Sequence, residues 1–261
     1  DQRGQREAFF GLQVRVSRCH LCKLPEVQVL HFRFETAAPI WTASARYGLR
    51  FGAVYIALGK RKMYDISLTD LVDVVSKSGS PKATKVNQIK NRKPYHPATD
   101  FYKPLRDGLV KVHKEGLERK SLANIRSSIQ DPKKIVNYNN ALNGYHKWWG
   151  KKIISWFEPP RNNYGHAGVN VAINPELGLI IDNQSYVIKL YLKDEPLSKL
   201  RIDLATVLME ISLRDLCEKG EIIGVLDVRQ GKFFRVTAPI AQTKSMVDAE
   251  LAYISSLWPN I

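Results

Sequence analysis

The residues best suited to chemistry in this chain lie between Gly168 and Lys193, GVNVAINPELGLIIDNQSYVIKLYLK. The pattern is that of two β-strands, 168–181 and 186–193, joined by the polar turn Asp182-Asn183-Gln184-Ser185. Pairing Ile181 with Tyr186 sets Gly178 opposite Lys189 and Glu176 opposite Tyr191. Paired residues and their i±2 neighbours share a face. Glu176, Lys189, Tyr191 and Lys193 are therefore expected to cluster, while Tyr186, Ile188, Leu190 and Leu192 turn to the core. Carboxylates can hold Mg2+ and a lysine can orient an attacking water, which is the equipment of metal-assisted phosphodiester cleavage. A plainer role suits the same residues: Glu176 with Lys189 or Lys193 forms a cross-strand ion pair on an exposed sheet face.

The elements that must position these residues follow from the period of the apolar positions. Asp131-Pro132 opens a helix to about Gly150, with Ile135, Leu142 and Trp149 inward. Ile153–Phe157 is a short apolar strand, and 158–168 reads as a loop holding His166. Asp194-Glu195-Pro196 opens a helix that buries Leu197, Leu200, Leu204, Val207, Leu208 and Ile211 and stops at Gly220. Residues 222–228 and 233–237 form a second hairpin around Gly231, and a last helix spans about 243–257 with Val247, Leu251 and Ile254 inward.

The order helix (132–150), strand (153–157), strand (168–181), strand (186–193), helix (197–218), strand (222–228) resembles the core of the PD-(D/E)XK nuclease-like superfamily. In that family an acid sits on the second core strand and an acid-x-Lys pair on the third. Pro175-Glu176 is similar to the family's Pro-acid step and Lys193 to its lysine. Tyr191 stands where the family has the second acid. The resemblance implies Glu176 as an Mg2+ ligand, Lys193 as the water-orienting lysine and Lys189 as a phosphate contact. Asp203 or Glu210, seven apart on one face of the following helix, would then be a relocated acid.

Upstream the pattern is helical. Leu68, Leu71, Val72 and Val75 share a helix face that Gly79 ends. Residues 78–97 read as a basic, proline-containing connector. Thr99 or Asp100 caps a helix with Phe101, Leu105, Leu109 and Val112 on one side. The fold expected is α+β: a helical N-terminal half packed on a small mixed sheet flanked by helices. It divides into 1–62, 63–150 and 151–261.

The net charge of +15 favours a polyanionic partner, nucleic acid before membrane. Residues 1–62 hold 11 of the 40 Lys+Arg and 4 of the 25 Asp+Glu, leaving 29 and 21, or +8, for residues 63–261. Lys90, Arg92, Lys93, Lys103 and Arg106 are the candidate phosphate contacts, and Trp148, beside His146 and Lys147, is a candidate for base stacking. A non-enzymatic protein-interaction or scaffold module is the competing expectation. Met63 is the first methionine, and the poor patterning before it suggests either that the natural chain starts there or that this is part of a longer one. Three cysteines make no disulfide framework, which fits a reducing, cytoplasmic setting. Cys19-His-Leu-Cys22 is half of a zinc site, and His20, His31 and Cys217 could complete it only by type, so zinc is not expected. Motifs for serine hydrolases, P-loops and dinucleotide binding do not occur.

Overall fold

A computed structural model describes residues 63–261, except 95, 97–99, 128 and 130, and the backbone of 13–18 and 28–33. The chain divides into two units, 1–62 and 63–261. In the first, β1 (Gln13–Arg18) and β2 (Gln28–Arg33) pair antiparallel, Gln13 opposite Arg33. The Cys19–Cys22 pair lies outside the described residues.

The second unit runs β3 (Tyr64–Ser67), α1 (Leu68–Val75), α2 (Gly79–Lys90), α3 (Lys103–Lys114), α4 (Leu122–Ser127), α5 (Pro132–Trp149), β4 (Ile154–Phe157), β5 (Asn162–His166), β6 (Val169–Ile173), β7 (Leu177–Ile181), β8 (Gln184–Tyr191), α6 (Lys199–Leu213), β9 (Ile222–Asp227), β10 (Lys232–Arg235) and α7 (Ile240–Leu257). The fold is α+β, with a helical region ahead of two mixed sheets and helices flanking them. The larger sheet has the order β10-β9-β8-β7-β4, with only β8 and β9 parallel; the smaller has the order β3-β6-β5, with β3 parallel to β6. No helix among the described residues is long and apolar enough to cross a membrane.

Strand alternation builds two cores, one on each face of the larger sheet. Leu177, Leu179, Ile188, Leu190, Leu226 and Val228 pack under α3, α4 and α5. Val187, Ile223 and Val225 pack with α1, α2, α6, α7 and the apolar residues of β6. The close approach of α5 to the sheet depends on Gly144, where a Cβ would lie 2.2 Å from the carbonyl oxygens of Val228 and Arg229.

Several expectations need correction. The first hairpin turns on two residues, not four. Asp182 and Asn183 both have positive φ (49° and 70°), and Ile181 pairs with Gln184. This is the two-residue geometry whose twist matches the flanking strands. Ala167-Gly168 (φ 49° and 83°) makes a second such turn, so the segment read as a loop contains β5 and places His166 opposite Val169. The strand expected over 168–181 breaks at 174–176. Its halves β6 and β7 enter different sheets, because Pro175 has no N–H for a ladder.

Residues 79–90, read as a connector, are helical, with Pro81 in the first turn, where its missing N–H costs nothing. The first helix ends at Val75, capped by Ser76, so Gly79 starts α2 rather than stopping α1. Tyr102 caps α3, while Asp100 accepts the Tyr102 amide at 3.1 Å; Thr99 lies outside the described residues. Ile135 and Leu200, expected inward, are 36% and 37% exposed.

One buried group gives the fold a pH dependence. His113 is 4% exposed on α3, stacks on Trp149, and shares a 2.6 Å hydrogen bond with the Tyr145 hydroxyl. Burial pushes its pKa down from 6.5 to about 4. The unfolded chain therefore takes up this proton first. The contribution of neutral His113 is fully present above pH 6.5 and is lost as pH falls towards 4. Urea unfolding across that window should show a loss of about 3 kcal/mol from this group, absent in His113→Gln.

Candidate functional site

The face of β8 that carries Lys189 and Tyr191 does bring Glu176 to Lys189, in a register shifted from the one expected. Leu177 pairs with Ile188, and the Glu176 amide donates to the Ile188 carbonyl at 3.1 Å, which sets Glu176 beside Lys189 rather than opposite Tyr191. A shift of two residues leaves every side chain on its original face. Glu176 Oε1 accepts from Lys189 Nζ at 2.5 Å, and Oε2 accepts from the Leu190 amide at 2.8 Å. Lys189 Nζ also donates to the Asn174 carbonyl at 2.9 Å. The side chains of the pair are 12% and 18% exposed.

Lys193 is not part of this pair. Its Nζ lies 2.6 Å from both carboxylate oxygens of Asp73 on α1, and Lys85 approaches the same group at 3.1 Å. Tyr191, at the family's acidic position, donates its hydroxyl to the Glu195 carbonyl and accepts from Arg201 at 3.2 Å. Burial pushes its pKa up. Arg201 is itself buried and also reaches Glu195 at 2.6 Å and Ser76 at 3.2 Å. Asp73 and Arg201 are the residues that sequence reasoning missed. Asp73 follows Asp70 by one helical turn on α1, but nothing local shows that it meets a lysine 120 residues away.

The two acids proposed as replacements remain on their own helix. Glu210 grips Arg214 with both oxygens, at 2.7 and 2.9 Å, and Asp203 pairs with Lys199 at 2.5 Å. Among the described residues, no group of three or more His, Cys, Asp or Glu could hold a metal ion. Mg2+ would need oxygen lone pairs at Glu176 that the ammonium of Lys189 and the Leu190 amide already occupy. The donor set does not fit the metal that the resemblance implies. No protein-family model matches the chain, and no curated protein matches it.

Glu176 and Lys189 line an open cleft of about 700 Å3 with Arg106, Lys111, Lys114 and Arg161. These cations are balanced by carboxylates. Arg106 meets Asp100 at 2.9 Å, Lys111 meets Glu115 at 3.9 Å, and Lys114 and Arg161 share Glu158 at 3.7 and 3.6 Å.

The candidate phosphate contacts are engaged in the same way. Lys90 donates to the carbonyls of Trp258 and Ile261. Arg92 clamps Asp70 at 2.5 and 3.2 Å. Burial alone would push the Asp70 carboxyl up, but hydrogen bonds from Arg92 and Ser67 outweigh it and hold the group below the usual range. Lys103 pairs with Asp107 at 2.5 Å. Lys93 is exposed. Trp148 is not a stacking platform: it is 8% exposed and packs in the α5 core against Tyr145.

The pair is testable as a pair. A double-mutant cycle of Glu176→Gln and Lys189→Met, read by urea unfolding, should give a coupling of about 1–3 kcal/mol. A coupling near zero would mean that the ion pair does not hold β7 to β8.

Proposed function

We propose that residues 63–261 form a nucleic-acid-binding domain on a nuclease-like core whose catalytic position is closed by an ion pair, so that it binds without cleaving. One observation carries the reading: both oxygens of Glu176 are engaged, by Lys189 and by the Leu190 amide. Tyr191 stands where a second carboxylate would be needed. The elements α5, β4, β7, β8, α6 and β9, with β5 and β6 of the smaller sheet inserted between β4 and β7 and Pro175-Glu176 leading into β7, support the nuclease-like part. The +8 charge of the unit supports a polyanionic partner. A reducing, cytoplasmic setting belongs to the same reading, since Cys217 is a free thiol that burial pushes up to about 12. The charge balance of the cleft favours a second reading, in which the domain binds protein and the cleft serves as a mixed-charge interface.

Labelled DNA and RNA, single- and double-stranded, incubated with the protein and Mg2+ or Mn2+ separate these readings. The expected result is salt-sensitive binding with no cleavage. Divalent-dependent cleavage that disappears in Glu176→Ala would overturn the non-catalytic assignment. Failure to bind any nucleic acid at low salt would leave the protein-binding reading.

A further inference from the structure

Residues 119–152, RKSLANIRSSIQDPKKIVNYNNALNGYHKWWGKK, hold eight Lys+Arg and one acid, Asp131. They make up α4 and α5 with their flanks. Asp131 caps α5, its carboxylate accepting the Lys133 amide at 2.9 Å. Of the eight cations only Lys120 makes an ion pair among the described residues, with the exposed Glu118. The remaining 21 Lys+Arg of residues 63–261 meet 20 acids, and 15 of the 21 are ion-paired. Nearly all the excess charge of the unit therefore lies on these two helices and their flanks.

The exposed cations among them fall on one side. Lys133 and Lys147 are 14 residues apart, close to four helical turns, and so share an outer face of α5 at a separation of about 21 Å. Arg126, exposed on α4, donates to Asn143 of α5 at 2.9 Å and stands beside that face. Arg119 reaches the Gly150 carbonyl at the far end of α5, next to the exposed Lys151. Between the helices is a recess of about 280 Å3 lined by Arg119, Lys120, Arg126, Asn143 and His146, with no carboxylate in its wall.

We infer that the α4–α5 face is the docking surface for double-stranded nucleic acid, contacted through its phosphates; this rests on the nucleic-acid-binding reading above. Cations not neutralised by a carboxylate attract phosphates because binding releases condensed counterions. Single-strand grooves add exposed aromatic rings on which bases stack. The aromatic residues here, Tyr138, Tyr145, Trp148 and Trp149, are all buried. A membrane-surface helix turns its apolar face outward. The aromatic residues and Leu142 of α5 face the core, and apart from Ile135 and Val136 its outer residues are polar.

The test compares a short DNA duplex, its single strand and phosphatidylserine vesicles as ligands of the intact chain. The duplex should bind tightest. In the variant Arg126→Gln/Lys133→Gln/Lys147→Gln/Lys151→Gln, duplex affinity at about 100 mM salt should fall at least about tenfold, and the salt slope should shrink by about 3.6. All four positions are exposed, so the thermal midpoint should hold. Should it drop, Lys133→Gln/Lys147→Gln is used instead, with an expected slope change of about 2. Lys77→Gln/Lys219→Gln, the same kind of change at exposed lysines elsewhere, should leave affinity within about twofold. An unchanged slope in the α4–α5 variants would overturn the surface while leaving nucleic-acid binding intact. Tighter binding of the single strand or the vesicles would overturn the choice of occupant. No binding of any nucleic acid by the unaltered chain would overturn both this inference and the reading it rests on.

Discussion

A strand covered on both faces can carry charge only where each charge meets a partner, and β8 is such a strand. Apolar residues point from it into both cores, yet it also carries Lys189 and Tyr191, and Lys193 stands two residues past its end. Removing an ion from water costs several kcal/mol, and an unpaired one would not be tolerated there. Each polar group is therefore met from a different element. Glu176, just ahead of β7, takes Lys189; Asp73 of α1 takes Lys193; Arg201 of α6 reaches Tyr191, Ser76 and Glu195. These contacts help tie α1, α6 and the entry to β7 to one strand. They are better read as specifying how those elements dock than as a large net source of stability.

The same requirement decides the chemistry. A metal site needs carboxylates with free lone pairs pointing at a common centre, whereas here the carboxylates of the sheet and cleft each face one or two ammonium or guanidinium groups. Glu210 and Asp203 repeat the pattern on α6. The acids are thus distributed as partners for cations around the sheet and cleft, and few remain elsewhere. The basic character of α4 and α5 with their flanks is the other side of that distribution: the cations there are denser than in the rest of the unit, and the carboxylates are nearly missing.

Much of the fold was legible because it rests on period and punctuation. Asp131-Pro132 does open α5, Gly231 does turn the second hairpin, and α5, β4, β8, α6 and β9 follow the apolar runs, while β5 and the break between β6 and β7 do not. The face carrying Glu176 and Lys189 was legible even though the register was not, since a slip of two preserves parity. What could not be read locally was the competition between structures. Pro175 divides one apparent strand between two sheets, and only the sheet partners show where each half goes. The stretch 79–90 buries little besides Val86 and Ile89, too few positions to set a period. Ion-pair partners were the least legible. Lys82 meets Glu250 and Lys193 meets Asp73, separations of 168 and 120 residues, so a count of lysines in 82–106 overstated their freedom.

That last point also separates binding from cleavage physically. Cleavage requires several groups held to a fraction of an ångström around one metal, and a single change such as tyrosine for a carboxylate removes it. Phosphate binding requires only cations not neutralised by carboxylates, spread over a rigid surface, and it tolerates changes at any one of them. On the proposed reading, a fold in which the sheet face is neutralised pair by pair while α4 and α5 stay unopposed suits the tolerant property and not the demanding one. The two properties lie on different elements, so neither constrains the other: the ion pair beside β8 can serve packing, and the outer surface of α5, fixed to the sheet through Gly144, can hold its charges in a fixed row.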